Sequence, residues 1–143
     1  MTDYQKIQKI IIKCNLKDKE SISEKVLNKL IIENISEFMK QLGIGYSFID
    51  SEYKIRIGDN YNYIDLLLFN YIYNCFVVIE LKITKLKKEH IGQIQVYMNY
   101  IDKNVKSMYQ NNTIGIILVK KDNEFIIEYS SDDRIISRKY EIV

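Results

Sequence analysis

Three charged residues sit where charges are least expected. Asp65 lies in the apolar run YIDLLLFN at 63–70, and Glu80 and Lys82 lie in a second run, CFVVIELKI at 75–83, with only Leu81 between them. Charged side chains are rarely buried unless they are paired or hold a metal. Alternation along a strand puts Glu80 and Lys82 on one face. If the two runs form an antiparallel hairpin turning between Ile72 and Tyr73, Asp65 falls directly opposite Glu80, with Cβ atoms about 4.5–5.5 Å apart. Two carboxylates that close repel unless a proton or a cation lies between them. Carboxylate oxygens of this kind suit Mg²⁺, which takes one or two carboxylates and completes its shell with water and substrate phosphate. A neighbouring Lys could orient or activate a water and stabilise charge developing on a phosphate.

Several elements must position these groups. Val77, Val78, Ile79, Leu81 and Ile83 favour a strand, and apolar residues of both parities imply burial on both faces. Residues 46–57 alternate loosely and predict the preceding strand, closed by the turn signal Gly58-Asp59-Asn60. From Ser21 to Gly43 the apolar residues recur at helical spacing and predict one long helix. Ser21 and Glu24 have capping-box spacing at its start, and Gly43 or Gly45 ends it. Residues 3–13 predict a short amphipathic helix, so residues 1–20 are expected to form an N-terminal helical extension. A helix from about 87 to 109 follows the Glu-x-Lys strand, and Gln93 and Tyr97 share one of its faces. Asn111-Asn112 predicts a turn, residues 114–119 a buried strand, Lys121-Asp122-Asn123 a hairpin turn, residues 124–129 a further strand and residues 138–143 an edge strand. The order predicts an α/β fold, a mixed central β-sheet flanked by helices.

At 143 residues the chain is expected to be one domain, 1–143, large enough for a core. Its net charge is only +2, so any attraction to nucleic acid must be local. A basic stretch follows the second run: Lys82, Lys85, Lys87 and Lys88, then His90. It reads either as a solvated loop or as a phosphate-contact patch. His90, the only histidine, has no clustered partner that would make it a metal ligand. Cys14 and Cys75 form no metal-type pair and no disulfide pattern, which suits a reducing cytoplasm, and Cys75 reads as a small core residue. No signal peptide and no apolar run of about 18–20 residues is present, so no membrane partner is expected.

Asp, then Glu-x-Lys on the next strand, is the signature of the PD-(D/E)xK nucleases. The surrounding text resembles the catalytic domain of the YhcG-type family of these enzymes. The resembling pieces are ENISEFMKQLGIGYSFI (33–49), YIDLLLFN (63–70), CFVVIELKI (75–83), GQIQVYMNYID (92–102) and TIGIILVK (113–120). That family normally carries an extra N-terminal helical domain, for which this chain has no room, so a separate helical partner domain is one expectation. The resemblance implies a restriction-endonuclease-like core and a Mg²⁺-dependent (or Mn²⁺-dependent) deoxyribonuclease acting in DNA repair, recombination or defence against foreign DNA. Asp65 and Glu80, with the carbonyl of Leu81, would hold the metal, and Lys82 would position or deprotonate the attacking water. Gln93 and Tyr97 resemble a Gln-x-x-x-Tyr motif that orients catalytic groups or contacts substrate backbone; the bland reading puts Tyr97 in the core. Glu33 is either a solvated helix acid or an additional acid near the metal. Lys85, Lys87 and Lys88 would contact DNA, and a homodimer would suit cutting both strands.

Two other readings compete. The chain could keep the nuclease fold as a non-catalytic nucleic-acid-binding or assembly module, which would not need Mg²⁺ or Mn²⁺. Asp65, Glu80 and Lys82 could also be a satisfied buried ion-pair network, although such networks are rarely strongly stabilising.

Overall fold

A six-stranded sheet runs through the centre of the computed structural model, which describes residues 9–120 and 132–143. The elements in chain order are β1 (Ile10–Ile12), α1 (Glu24–Glu33), α2 (Ile35–Leu42), β2 (Tyr46–Ile57), β3 (Asn60–Asn70), β4 (Cys75–Leu81), α3 (Lys88–Asn104), β5 (Asn111–Lys120) and β6 (Ile135–Ile142). Across the sheet the order is β1-β6-β5-β4-β3-β2. The consecutive strands β2, β3 and β4 are antiparallel; β4, β5, β6 and β1 are parallel. The mixed α/β sheet matches the expectation.

The runs in β4 and β5 carry apolar residues at positions of both parities because both faces are covered. Val77, Ile79, Leu81, Ile116 and Leu118 pack with Leu27 and Ile31 of α1 and Phe38 of α2. Val78, Ile117 and Val119 pack on the other side with Ile91, Ile94, Met98 and Ile101 of α3. Cys75 is buried in the first layer as a plain core residue.

Several expectations give way. The helix predicted over 3–13 is overturned at Ile10–Ile12, which form a strand parallel to β6; residues 1–8 lie outside the described residues. Three consecutive β-branched residues beside an open sheet edge favour pairing over helix. The Gln41 amide seals that edge, accepting from the Ile11 N–H at 2.7 Å and donating to its carbonyl at 2.9 Å. As a result β6 is an interior strand and not an edge. The long helix from Ser21 is broken at Asn34, whose φ of −123° and ψ of 36° leave the helical region. Asn34 steadies the break by donating its side chain to the Leu30 carbonyl at 3.1 Å and its N–H to the Ile31 carbonyl at 3.1 Å. The N-cap is Ser23, whose hydroxyl accepts the Val26 N–H at 3.2 Å, while Ser21 bonds Asp18 instead. Finally, α3 stops at Asn104 and β5 begins at Asn111, so the expected turn at 111–112 is already strand. The hairpin expected over 121–129 lies outside the described residues.

The two-stranded ribbon of β2 and β3 outruns the rest of the sheet. Pairing of β3 with β4 spans Leu66↔Ile79 to Asn70↔Cys75, whereas β2 stays paired with β3 out to Ile57↔Asn60. Where the ribbon leaves, it turns over: Leu66 packs in the α1–α2 layer and Ile64 in the α3 layer. Glu52 of β2, between the pairs Ser51↔Leu66 and Tyr53↔Ile64, has a left-handed φ of +48°. A residue of this type at positive φ is uncommon and marks a local kink.

The closest helix–sheet approach depends on Gly115. A Cβ there would lie 2.6 Å from Met98 Sδ and 3.0 Å from Ile94 Cδ1. Gly115→Val should therefore push α3 off β5 and destabilise the fold by about 1–3 kcal/mol. Urea unfolding checks this; an unchanged midpoint would mean that α3 repacks freely.

Candidate active site

The register of β3 against β4 puts Asp65 opposite Glu80, as the spacing predicted. The regular ladder ends one pair earlier, and the two carboxyl groups take over from it. Glu80 Oε2 accepts the Asp65 backbone N–H at 2.9 Å, and Asp65 Oδ2 accepts the Leu81 backbone N–H at 2.8 Å. The two carboxyls are also close enough for each to influence the other's protonation. Glu80 is 4% exposed. Burial, then the neighbouring Asp65 charge, push its carboxyl up to about 8. Burial raises Asp65 as well, against the Leu81 N–H and the Lys82 charge, which favour its ionised form.

The helices and strands around the pair supply the contacts that hold it. Asn28 of α1, buried, donates to the Asp65 carbonyl at 3.1 Å. Lys82, just past β4, donates its N–H to the Leu118 carbonyl at 2.8 Å and accepts the Tyr140 hydroxyl of β6 on its own carbonyl at 3.1 Å. Its backbone is thus held from both sides. Its ammonium lies 3.5 Å from Gln93 Oε1 of α3 and 3.9 Å from Glu24 Oε1 of α1. Gln93 in turn donates to the Tyr97 hydroxyl at 3.1 Å. Tyr97 is buried, and its hydroxyl is raised first by burial and then by the Glu80 charge. Asp65, Glu80, Lys82, Gln93 and Tyr97 therefore form one connected group.

Other candidates lie apart. Glu33 is exposed and lines a shallow groove between α1 and β2 with Lys25, Lys29 and Glu52. It stands nine residues from Glu24, half a turn away around the helix axis. The helix acid that reaches the site is Glu24, read in the sequence only as a capping partner. A same-face Glu24–Asn28 spacing was the available signal for both groups. Lys85, Lys87 and Lys88 are exposed on the segment leading from Lys82 into the first turn of α3. His90 caps that helix: its Nδ1 accepts the Lys87 N–H at 3.1 Å. Burial and the charges of Lys82 and Lys87 lower its pKa, which keeps the acceptor nitrogen unprotonated.

The donor set fits a hard divalent cation. Two close carboxyls offer oxygen ligands and gain from a positive charge between them. Among the described residues, no three His, Cys, Asp or Glu side chains converge to hold an ion, so a zinc-type cage is not built here. Mg²⁺ makes no such demand, since it keeps several waters or substrate oxygens.

A family model for the YhcG PDDEXK nuclease domain matches residues 5–142. The chain belongs to this family. Over 100 residues, 70% of this chain, it is 30% identical to "Putative nuclease YhcG" of Escherichia coli (strain K12). The chain spans 27% of that relative's length. Two solved structures share its fold. One is a repair endonuclease from Pyrococcus abyssi, with a TM-score of 0.57 and 20% identity over 90% of this chain and 49% of that one. The other is EndoMS in an EndoMS-dsDNA2 complex, with a TM-score of 0.50 and 17% identity over 90% of this chain and 48% of that one. The YhcG PDDEXK domain thus has the restriction-endonuclease-like α/β architecture. No helix among the described residues is long and apolar enough to cross a membrane.

The buried carboxyls give the metal-free domain a pH signature. Between the ordinary glutamate value of 4.5 and about 8, the folded chain keeps a proton on Glu80 that the unfolded chain has released. Stability is therefore full below the lower value and declines as pH rises through the upper one, by on the order of 2–4 kcal/mol. Urea midpoints in EDTA should fall from pH 5 to pH 8 in the native chain. Glu80→Gln, which cannot ionise, should flatten that slope and be the more stable protein at pH 8. An equally steep decline in the variant would mean that other groups set it.

Proposed function

We propose that this YhcG PDDEXK domain is a metal-dependent nuclease that hydrolyses phosphodiester bonds in DNA. The observation that carries this reading is the pairing of half-buried Asp65 with buried Glu80, with the Lys82 ammonium near them, at the end of β4. An apolar pair would close this part of the sheet at far lower cost, so the carboxylates call for a ligand.

Asp65 and Glu80 would hold Mg²⁺ or Mn²⁺, with the Leu81 carbonyl as a further ligand. When bound, the ion neutralises charge on the scissile phosphate and makes a hydroxide-like nucleophile available near neutral pH. Lys82 is the catalytic base or water-orienting group. Its side chain is 16% exposed, deep enough to be held and open enough to meet substrate. Glu24 and Gln93 flank the ammonium and restrict where it points, and Tyr97 fixes the Gln93 amide through the hydroxyl it offers. Gln93, Tyr97 and Glu24 are positioning residues in this scheme. Lys85, Lys87 and Lys88 supply local phosphate attraction beside the site in a chain of near-neutral charge. The double-stranded DNA of the EndoMS complex supports DNA as the substrate.

End-labelled single-stranded, duplex and branched DNA should be cut with Mg²⁺ or Mn²⁺ and left intact in EDTA. Glu80→Ala and Lys82→Ala should each lower the rate by about 100-fold or more. The two variants should differ in metal binding. Mg²⁺ at 100 times its Kd stabilises a binding protein by about 2.7 kcal/mol. Lys82→Ala should keep that thermal upshift and Glu80→Ala should lose it. Cutting that survives EDTA or either substitution would overturn the assignment.

A further inference from the structure

The β2–β3 ribbon beyond Asp65 has one face with no role in the site described above. Its inner face, Tyr53, Ile55, Ile57 and Ile64, packs into the α3 layer. Its outer face carries two directly opposed pairs, Lys54↔Tyr63 and Arg56↔Tyr61. Directly opposed residues point to the same side, so two cations and two phenol rings form one patch. Tyr61 is 56% exposed and Tyr63 52% exposed, and Lys54 and Arg56 are exposed as well. The Lys54 ammonium sits 4.1 Å from the Tyr61 ring centroid. Arg56 donates its Nε to the Gly58 carbonyl at 3.1 Å and makes a long contact to Asp59, 3.8 Å, in which both side chains are largely in solvent.

We infer that this face is a contact site for unpaired nucleotides of the DNA substrate, with Tyr61 and Tyr63 stacking on bases and Lys54 and Arg56 meeting phosphates. The inference rests on the nuclease reading above and names the substrate class more closely: DNA with a single-stranded stretch beside the scissile phosphate. Three observations support it. Placement comes first: Tyr63 is two residues from Asp65, about 7 Å along the strand, and Tyr61 two further. The rings therefore lie on the outer face of the ribbon immediately beyond Asp65, spaced along it at a stride comparable to that of an extended single strand. Composition comes second: a base presents a π-face to any aromatic ring, and nearby cations track the backbone, which is the general recipe for binding single strands. Availability comes third. An exposed cation–π pair is weaker than a base stacked on a ring, so Lys54 can turn to phosphate; the Arg56 Nε stays on the Gly58 carbonyl while its terminal nitrogens, in a long solvent-open contact to Asp59, can meet a second phosphate.

Cross-strand Tyr–Lys and Tyr–Arg pairs could also serve only to steady the ribbon, and the test must separate the two roles. Threonine keeps strand propensity but removes the ring, and phenylalanine keeps the ring. Anisotropy of a labelled oligo-dT and of a blunt duplex, in EDTA with the full chain, reads binding apart from cleavage. Tyr61→Thr/Tyr63→Thr should weaken oligo-dT binding by tenfold or more and duplex binding far less, with an unchanged melting temperature. Tyr61→Phe/Tyr63→Phe should bind as the native chain does. Lys54→Ala/Arg56→Ala should weaken both DNAs and shallow the salt dependence by about two phosphate contacts. A folded Thr variant that binds oligo-dT as the native chain does overturns this inference and leaves the nuclease reading standing. A native chain that neither binds nor cuts any DNA overturns both.

Discussion

Two carboxyl groups hidden at the end of a strand ladder are the constraint around which this domain is arranged. An ordinary antiparallel pair would close the β3–β4 ladder with backbone hydrogen bonds. Here the side chains of Asp65 and Glu80 accept those N–H groups instead. The substitution satisfies the backbone donors while leaving two acids within hydrogen-bonding distance of each other in a poorly solvated place. Neither state of the pair is comfortable there. Both charged, they repel; sharing a proton, they hold a group against its ordinary titration. A positive ligand would resolve the conflict, and among the described residues the nearest cation, Lys82, is directed elsewhere. Lys82 comes near enough to bias Asp65 and Glu80, yet its ammonium is drawn toward Glu24 and Gln93.

That arrangement explains why the site draws on four parts of the chain. A buried polar group must be held by partners whose own positions are determined. Asn28 ties α1 to the backbone of Asp65, Tyr140 ties β6 to the backbone of Lys82, and Gln93 with Tyr97 ties α3 to its side chain. Parallel β4, β5 and β6 share one register, so Lys82 is anchored by strands remote from it in sequence. Displacing α3, as a side chain at Gly115 would, bears on the Lys82 ammonium as much as on the core.

The hairpin register was legible because it depends on local distance alone: two strands, a four-residue turn and alternation place Asp65 against Glu80. The strand β2 and the two-faced burial of β4 and β5 were legible for the same reason. The helix acid was not. Glu33 and Glu24 look alike in a helical pattern, and which one faces the site depends on where α1 sits on the sheet, a tertiary fact. The break at Asn34 escaped because apolar spacing continues across it, with neither Gly nor Pro as a marker. Ile10–Ile12 escaped because a three-residue strand exists only when a partner edge is available, and that edge is formed by β6, more than a hundred residues later. The capping role of His90 was not legible because it needed the helix start to be placed first.

The same logic accounts for the kink at Glu52. The ribbon must leave the sheet beyond Asp65, since continued pairing with β4 would cover the carboxyls with backbone. It must also keep an apolar face on the core, and past Asp65 the available core lies in the α3 layer and no longer in the α1–α2 layer. Changing layers within two residues calls for a turn about the strand axis that regular β backbone does not provide. The left-handed Glu52, between the pairs Ser51↔Leu66 and Tyr53↔Ile64, lies where that change occurs. The consequence is chemical as well as architectural. Once the ribbon has rolled over, Ile55 and Ile64 are buried and the alternate positions, Lys54, Arg56, Tyr61 and Tyr63, are turned outward together. The change of layer and the outward-facing cations and rings are thus two sides of one feature of the ribbon.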